Sequence, residues 1–330
     1  MSVKKELLAL LEANRGTYLS GEEMGTRLSV SRTAIWKAIK ALEAEGYSIT
    51  AVPSRGYCLS ADTDILSEEG ISRYLESSTE QFQIRVLKSC TSTMTLLRED
   101  AAQGAPEGLV IAAESQTAGR GRLGRSFHSP EGTGVYMAIL LRPQLPADQA
   151  VLITTAAAAA VSEALEALSG KSAGIKWVND IFIGGKKVCG ILTEAAFDME
   201  GGGLEYAVLG IGVNVVPPQD GFPEELQDIA GAVFDQPEGD LRNRIAAEIL
   251  NRFMPYYRNL LEKDFLESYR SRSVAVGKEV LILRRGEEIP AVALGIDDQC
   301  RLMVRYADGR EDCLSTGEIS LRLQKGNCLA

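Results

Sequence analysis

Three glycines and three arginines interleave in Gly119-Arg120-Gly121-Arg122-Leu123-Gly124-Arg125. Glycine brings backbone N–H groups close to a ligand at little steric cost, and arginine adds forked donors suited to carboxylates and phosphates. The stretch therefore reads as a flexible cationic clamp for a small anion. A second cluster runs Lys176-Trp177-Val178-Asn179-Asp180, then Ile181-Phe182-Ile183, Gly184-Gly185 and Lys186-Lys187-Val188-Cys189-Gly190-Ile191-Leu192-Thr193-Glu194. Two glycines between alternating apolar runs predict a hairpin. In a simple two-residue-loop register Lys187 lies opposite Phe182, on the same face as Asp180 and Cys189. One ammonium and one carboxylate would then project together, a geometry suited to a metal-bound triphosphate beside a reacting carboxylate. A third glycine-rich run, Gly210-Ile211-Gly212-Val213-Asn214-Val215, carries in Asn214 an amide able to bond a nucleotide.

Blander readings stand beside these. Glycines 119, 121 and 124 match G-x-G-x-x-G, yet a dinucleotide fingerprint needs a helix directly after them. Here Ser129-Pro130-Glu131-Gly132-Thr133-Gly134 intervenes before a strand. A kinase would need an H-R-D catalytic loop, and the only histidine is His128. Taken alone, the loop is also compatible with an arginine-rich surface, and Lys187 with an ordinary surface ion pair.

The elements around these clusters read as mixed α/β. Ala61 to Ser78 is polar and acidic, a linker and lead-in helix. Phe82–Leu87 is a strand, and Thr91-Ser92-Thr93 opens a helix through Met94, Leu96 and Leu97. Leu109–Ala113 delivers Glu114-Ser115-Gln116 to the mouth of the glycine-arginine loop, and Gly134–Leu141 leaves it. Ala150–Leu168 is a helix whose small side chains allow close packing on a sheet. From Val276 the chain alternates through Val280, Ile282, Leu283, Val292, Leu294, Ile296, Leu302, Val304 and Tyr306. With Asp308-Gly309 as a type I′ turn and residues 317–322 closing the run, this predicts a small β-barrel.

The first segment has a different logic. Leucines 7, 8, 10 and 11 mark a helix stopped at Arg15-Gly16. Ser20 caps a second helix, with Glu23 completing a capping box, and Ser31 caps a third that Gly46 closes. Ile35, Ala38, Ile39 and Leu42 form the buried stripe of that third helix. Arg32, Thr33, Trp36, Lys37 and Lys40 are left on its other faces, mostly near its start, where recognition helices meet base edges. Residues 48–52 and 56–59 flank Pro53-Ser54-Arg55 as a wing. Ser31, Arg32, Thr33, Trp36, Lys37 and Arg55 are the candidate DNA contacts. The bland alternative is a protein-binding helical adaptor with solvated lysines.

Composition agrees. The 330 residues are 45% hydrophobic and 24% charged, with a net charge of −10. Residues 1–59 hold eight basic side chains against six acidic, so the remainder carries −12. An acidic whole repels nucleic acid, and any DNA contact falls to the N-terminal segment. The first residues lack the apolar core of a signal peptide, and no uncharged apolar run reaches spanning length, so no membrane partner is expected. The six cysteines (58, 90, 189, 300, 313 and 328) show no C-x-x-C spacing and read as thiols of a reducing compartment, the cytoplasm.

In this order behind a winged helix, the motifs resemble those of the biotin–protein ligases, specifically the bifunctional ligase and biotin-operon repressor family of bacteria. The resemblance spans nearly the whole chain. It implies an α/β (α+β) multidomain fold: a winged helix-turn-helix over 1–62, a mixed α/β ligase domain over 63–270 and an SH3-like β-barrel over 271–330. It implies formation of biotinyl-5′-adenylate from biotin and ATP with Mg²⁺, then transfer to a lysine of the biotin carboxyl carrier protein of acetyl-CoA carboxylase. With the adenylate as corepressor, a homodimer would bind the palindromic operator DNA of biotin genes. Position by position, Ser92, Thr93, Met94 and Gln116 correspond to biotin contacts. Arg120, Gly121 and Arg122 correspond to the covering loop, and Lys187 and Arg122 to the catalytic cations. Phe127, Lys176, Asn179, Asp180, Asn214 and Arg322 correspond to nucleotide contacts, with Asp180 also at the metal. The family commonly has asparagine at Met94, proline at Val178 and tryptophan at Phe127. A reading from another class is a DNA-binding regulator whose ligase-like domain only senses a ligand; intact Lys187 and Arg122 favour the enzyme.

Overall fold

The computed structural model describes residues 2–77, 79, 81–197, 203–284, 287–315 and 318–321. The N-terminal unit comprises α1 (Val3–Glu12), α2 (Gly21–Arg27), α3 (Arg32–Ala44) and the hairpin β1 (Ile49–Val52) and β2 (Gly56–Leu59). The serines at 2, 20 and 31 cap the helices, each accepting a backbone N–H three residues on, as N-caps do. The reciprocal half of the expected capping box is replaced: the Glu23 carboxylate pairs with Arg27 at 2.6 Å. Ile35, Ile39 and Leu42 of α3 pack with Leu7, Leu8 and Leu11 of α1 in a separate small core.

After α4 (Glu68–Ser72) come β3 (Gln83–Leu87), α5 (Thr93–Ala102), β4 (Leu109–Ala113), β5 (Gly134–Leu141) and α6 (Val151–Ser169). Next follow β6 (Gly174–Lys176), β7 (Asp180–Ile183), β8 (Lys186–Phe197), β9 (Leu204–Asn214), α7 (Leu241–Arg258) and α8 (Leu266–Ser271). These strands form one seven-stranded sheet in the order β3-β4-β5-β9-β8-β7-β6. Only β3 and β4 run parallel.

The period-2 geometry of strands explains the unbroken apolar run of β5. Its Val135, Met137, Ile139 and Leu141 join the core containing α6 and α7, while Ala138 and Leu140 join the smaller core under α5. The alanines 156–160 of α6 are fully buried, which lets that helix lie close to its neighbours. Residues 147–169 are long and apolar enough to cross a membrane, but their most apolar 18-residue part, of mean hydropathy 1.5, is 67% buried inside the protein.

The last segment has β10 (Glu279–Arg284), β11 (Glu287–Ile296), β12 (Leu302–Tyr306), β13 (Glu311–Leu314) and β14 (Glu318–Leu321). Where the alternation predicts a small β-barrel, the described residues form a five-stranded antiparallel sheet, ordered β13-β12-β11-β10-β14. Its turn differs from expectation. A type I′ turn needs positive φ at both central residues, whereas of Asp308 and Gly309 only Gly309 has it, at 85°. Tyr306 N–H bonds to Arg310 C=O at 2.9 Å, closing a three-residue loop instead.

The stretch between the N-terminal unit and α4, which reads as a linker, is docked along its length. Arg15 donates to the carbonyls of Ser60, Ala61 and Thr63, and Asn243 to that of Ile65. The Leu66 and Ser67 N–H groups are taken by Glu114 and Asn243.

Candidate active site

A cavity of about 490 Å³ gathers the sequence-selected residues of the central segment. Ser92, Thr93, Met94, Gln116, Arg120, Gly121, Arg122, Phe127, Lys176, Asn179, Asp180, Lys187 and Asn214 all line it. Arg322 lies outside the described residues.

One wall is polar and uncharged, carrying Ser92, Thr93 and Gln116. Ser92 stands at the N-terminal boundary of α5 and is 2% exposed, but its hydroxyl makes no capping bond and its buried Oγ has no hydrogen-bond partner. Buried hydroxyls are rarely left so, and this one belongs to a residue that lines the cavity. Next to it Gln116 Oε1 accepts from Thr93 N–H at 2.9 Å and from its hydroxyl at 3.2 Å, while Gln116 Nε2 donates to Ser129 at 3.0 Å. The floor needs glycine. A Cβ at Gly210 would collide with Met94 Sδ, and one at Gly212 would lie 2.7 Å from the Phe127 ring. Phe127 also meets Tyr136 edge-on, at a 6.3 Å centroid distance.

The other wall carries charge. Gly184 and Gly185 both have positive φ, giving the expected tight turn and placing Lys187 opposite Phe182. Beyond that pair the simple register fails. A bulge pairs Ile181 with Cys189 and Asp180 with Gly190. A bulge re-aims side chains, and here it sends Cys189 into the core, fully buried, with its thiol pushed up by burial. Cys189 therefore shares no face with the charged pair. Lys187 Nζ meets Asp180 Oδ1 at 2.7 Å, both partly open to the cavity.

The glycine-arginine loop is ordered by its own backbone. Gly121 N–H bonds to Arg125 C=O at 2.7 Å and Phe127 N–H to Gly119 C=O at 2.9 Å, around a 3₁₀ turn at Arg122–Gly124. Arg122 Nη1 reaches Asn179 Oδ1 at 3.0 Å, and Asn179 Nδ2 donates to Ile191 C=O at 2.6 Å. Arg120 pairs with Glu194 at 2.8 Å, and Lys176 sits 5.9 Å from the Phe182 ring centre. The Asn214 side-chain amide donates to Gly231 C=O at 3.0 Å. Among the described residues no group of three or more His, Cys, Asp or Glu side chains is placed to hold a metal.

Sequence reasoning missed one wall. Phe222, Leu226, Ile229 and Ala230 also line the cavity, in a segment stitched to Lys187 by Lys187 N–H to Ile229 C=O at 2.8 Å and Gly231 N–H to Lys187 C=O at 2.9 Å. Ile229 remains 54% exposed. The signal was present as apolar residues at 222, 226 and 229, a helical spacing inside a proline-rich stretch. Ile319 reaches the cavity from the C-terminal sheet, and Trp177 Nε1 bonds to Cys300 C=O at 3.1 Å, joining the two segments.

The N-terminal unit presents a second surface. Thr33, Trp36 and Lys37 are exposed on α3, with Trp36 at 51%, while Ser31 is engaged as the cap. Arg32 is exposed yet paired with Glu22 at 2.5 Å. Arg55 projects at the hairpin tip, 4.2 Å from the Tyr18 ring centre.

Comparison with known proteins matches three stretches of the chain. Residues 3–58 match a family model described as an HTH domain, 86–214 the biotin/lipoate A/B protein ligase family, and 275–322 the biotin protein ligase C terminal domain. The bifunctional ligase/repressor BirA of Bacillus spizizenii is 35% identical over 313 residues, covering 93% of this chain and 95% of its own. The biotin–[acetyl-CoA-carboxylase] ligase of Mycobacterium tuberculosis is 32% identical over 250 residues, 72% of this chain and 88% of its own. A biotin protein ligase from Aquifex aeolicus, solved in complex with biotin and ATP, superposes with a TM-score of 0.61 at 30% identity, over 73% of this chain and 99% of that one. With an HTH segment, a ligase segment and the ligase C-terminal segment in one chain, this protein belongs to the bifunctional biotin–protein ligase and repressor family.

Proposed function

We propose that this chain joins biotin to ATP as biotinyl-5′-adenylate, passes the biotinyl group to a lysine of the carrier subunit of acetyl-CoA carboxylase, and represses biotin genes with the adenylate as corepressor. The observation that carries this reading is the two-walled cavity: an unpartnered buried hydroxyl beside Thr93 and Gln116 on one side, Lys187 and Arg122 on the other. A ligand with a neutral polar head and an anionic tail matches that division.

Ser92, Thr93 and Gln116 take the ring head of biotin, with Met94 as an apolar wall. Lys187 and Arg122 lie on its carboxylate and on the α-phosphate of ATP. A carboxylate oxygen attacks the α-phosphorus and pyrophosphate leaves. The approach of two anions makes the barrier largely electrostatic, and fixed cations offset the developing charge. Then the carrier lysine nitrogen attacks the carbonyl carbon and AMP departs. No protein nucleophile is required.

Lys176, Asn179, Asn214 and Phe127 serve the nucleotide, and Arg322 is assigned there by resemblance. Mg²⁺, which keeps most of its ligands as water and phosphate oxygens, needs one or two carboxylates rather than a cage. Asp180 fits that need, and the ion would supply charge neutralisation on the phosphates. The loop carrying Arg120, Gly121 and Arg122 covers the adenylate and keeps water from the anhydride.

In the repressor role, adenylate binding favours a homodimer whose two α3 helices meet a palindromic operator through Thr33, Trp36, Lys37 and Arg55, with Ser31 and Arg32 at the helix start. The division at residues 62 and 270 and a cytoplasmic location belong to the same proposal. Incubation with biotin, ATP, Mg²⁺ and a carrier domain, followed by mass measurement, tests the enzyme. A carrier left unmodified would refute it.

A further inference from the structure

At the junction of the DNA-binding unit and the ligase body, Arg15 is buried to 3% side-chain exposure and holds both sides at once. On its own unit it binds the Glu12 carboxylate with two bonds, at 2.5 and 2.8 Å. Toward the ligase body it faces the Asp240 carboxylate at 3.3 Å. Between them it donates to three carbonyls of the connecting strap, Thr63 at 2.7 Å, Ser60 at 3.4 Å and Ala61 at 3.5 Å.

The start of α7 completes the socket. Asp240 Oδ1 accepts from Asn243 Nδ2 at 2.6 Å, and that amide also donates to Ile65 C=O at 2.8 Å. Arg242 grips the Asp64 carboxylate and Glu114, and Glu114 accepts from Leu66 N–H at 2.8 Å. Strap carbonyls 60, 61, 63, 64 and 65 and N–H groups 66 and 67 thus all end on side chains. Free linkers leave these groups to water, and a strap so thoroughly bound cannot act as a tether.

We propose that Arg15 is a positioning residue for DNA recognition: it locks the winged helix to the ligase body in one orientation, so that a dimer of ligase bodies presents its two recognition helices at one fixed half-site spacing. The inference rests on the DNA-binding reading above. Its physical basis is geometric. The guanidinium fork bridges α1, the strap and α7, and only arginine has both the reach and the planar set of donors to do so. A neutral residue there would leave the Glu12 and Asp240 carboxylates buried without their cation, an unfavourable arrangement that releases the strap into water.

The test compares full-length wild type with Arg15→Ala and with Arg15→Lys, which keeps the charge but loses the fork. Solution X-ray scattering and limited proteolysis read the strap directly. Both variants should expand and become cleavable between residues 60 and 67, with Arg15→Lys intermediate. Gel shifts use a palindromic biotin-operon duplex and versions with one to four base pairs inserted at its centre, alongside a single half-site. Wild type should prefer one spacing. The variants should bind that duplex roughly ten- to a hundredfold more weakly, as expected when a rigid two-site display loosens, and should tolerate altered spacings. Affinity for the single half-site and adenylate synthesis should hold at wild-type levels, which separates lost orientation from a damaged winged helix.

A strap that stays compact and uncleaved in Arg15→Ala overturns the proposal. So does an unaltered spacing preference, or an equal loss on the single half-site. Should wild type bind none of these duplexes, the DNA-binding reading fails, while scattering and proteolysis still decide whether Arg15 locks the domains.

Discussion

Across the β7–β8 turn, Lys187 Nζ and Asp180 Oδ1 stand 2.7 Å apart and face the cavity together. The bulge that follows Lys187 puts Gly190 opposite Asp180, where an added Cβ would lie 3.3 Å from the Phe127 ring and 3.4 Å from Lys187 Cε. In the proposed reaction this ion pair holds the lysine where the two anions meet. Lys187→Ala should lower adenylate formation by roughly two to three orders of magnitude, the scale of losing one strong transition-state donor. Circular dichroism should stay native. Adenylation near the wild-type rate would remove Lys187 from its assigned role.

Arg122, on the glycine-arginine loop, donates to Asn179 Oδ1 at 3.0 Å. On the proposed lid role of the loop, Arg122→Gly should release the adenylate faster while slowing its synthesis less. Escaped adenylate would then biotinylate exposed lysines of unrelated proteins. A release rate equal to wild type, measured by quench flow, argues against a lid.

Ser92 offers a test with two opposite signs. Its buried hydroxyl has no hydrogen-bond partner, so Ser92→Ala should leave stability unchanged or raise it, by about 1 kcal/mol or more. The same change should raise the KM for biotin roughly tenfold, through loss of one hydrogen bond to the ligand. Thermal melts and steady-state kinetics read both. A destabilised protein with unchanged KM would mean that the hydroxyl serves the fold instead.

At the domain junction, burial raises the Asp240 carboxyl from 3.8 to about 6, and Asn243 and Arg15 offset that only in part. Glu12, Asp64 and Tyr74 also bear on the same group, and Glu12 and Tyr74 on Arg15. Between those two values the folded protein binds more protons than the unfolded chain. The Asp240 contribution is therefore fully present below 3.8 and is lost as pH rises through about 6. Denaturant titrations should show wild type losing stability from pH 4 to 7 relative to Asp240→Asn. A difference of the opposite slope would contradict the sign.

Reversing charge on the exposed face of the first unit separates the two activities. Lys37→Glu with Arg55→Glu should abolish operator binding and leave biotinylation of the carrier intact, since both residues lie outside the cavity. Wild-type binding should tighten when biotin and ATP are added together and weaken steeply with salt. Equal affinity with and without the two substrates would leave a ligase whose DNA-binding unit does not sense biotin.

Local chemistry made much of this protein legible in one dimension. Ser20 and Ser31 announce their helices because an N-cap bond spans only three residues. Gly184-Gly185 announces its turn because both positions require positive φ, and that turn alone puts Lys187 opposite Phe182. The cavity residues from Ser92 to Asn214 were likewise readable, since each sits at a strand end, a helix start or a glycine-rich loop. Tertiary structure decided the rest. The bulge beside Val188 diverts Cys189 to the core, and it depends on packing that no local pattern encodes. The segment around Ile229 becomes a cavity wall only through its backbone bonds to Lys187. Arg15 looks like a helix-ending surface cation until Asp240 arrives from far along the chain, and Asn243 binds a strap more than 170 residues away. Such contacts join groups whose pairing depends on burial, and burial is a property of the whole fold.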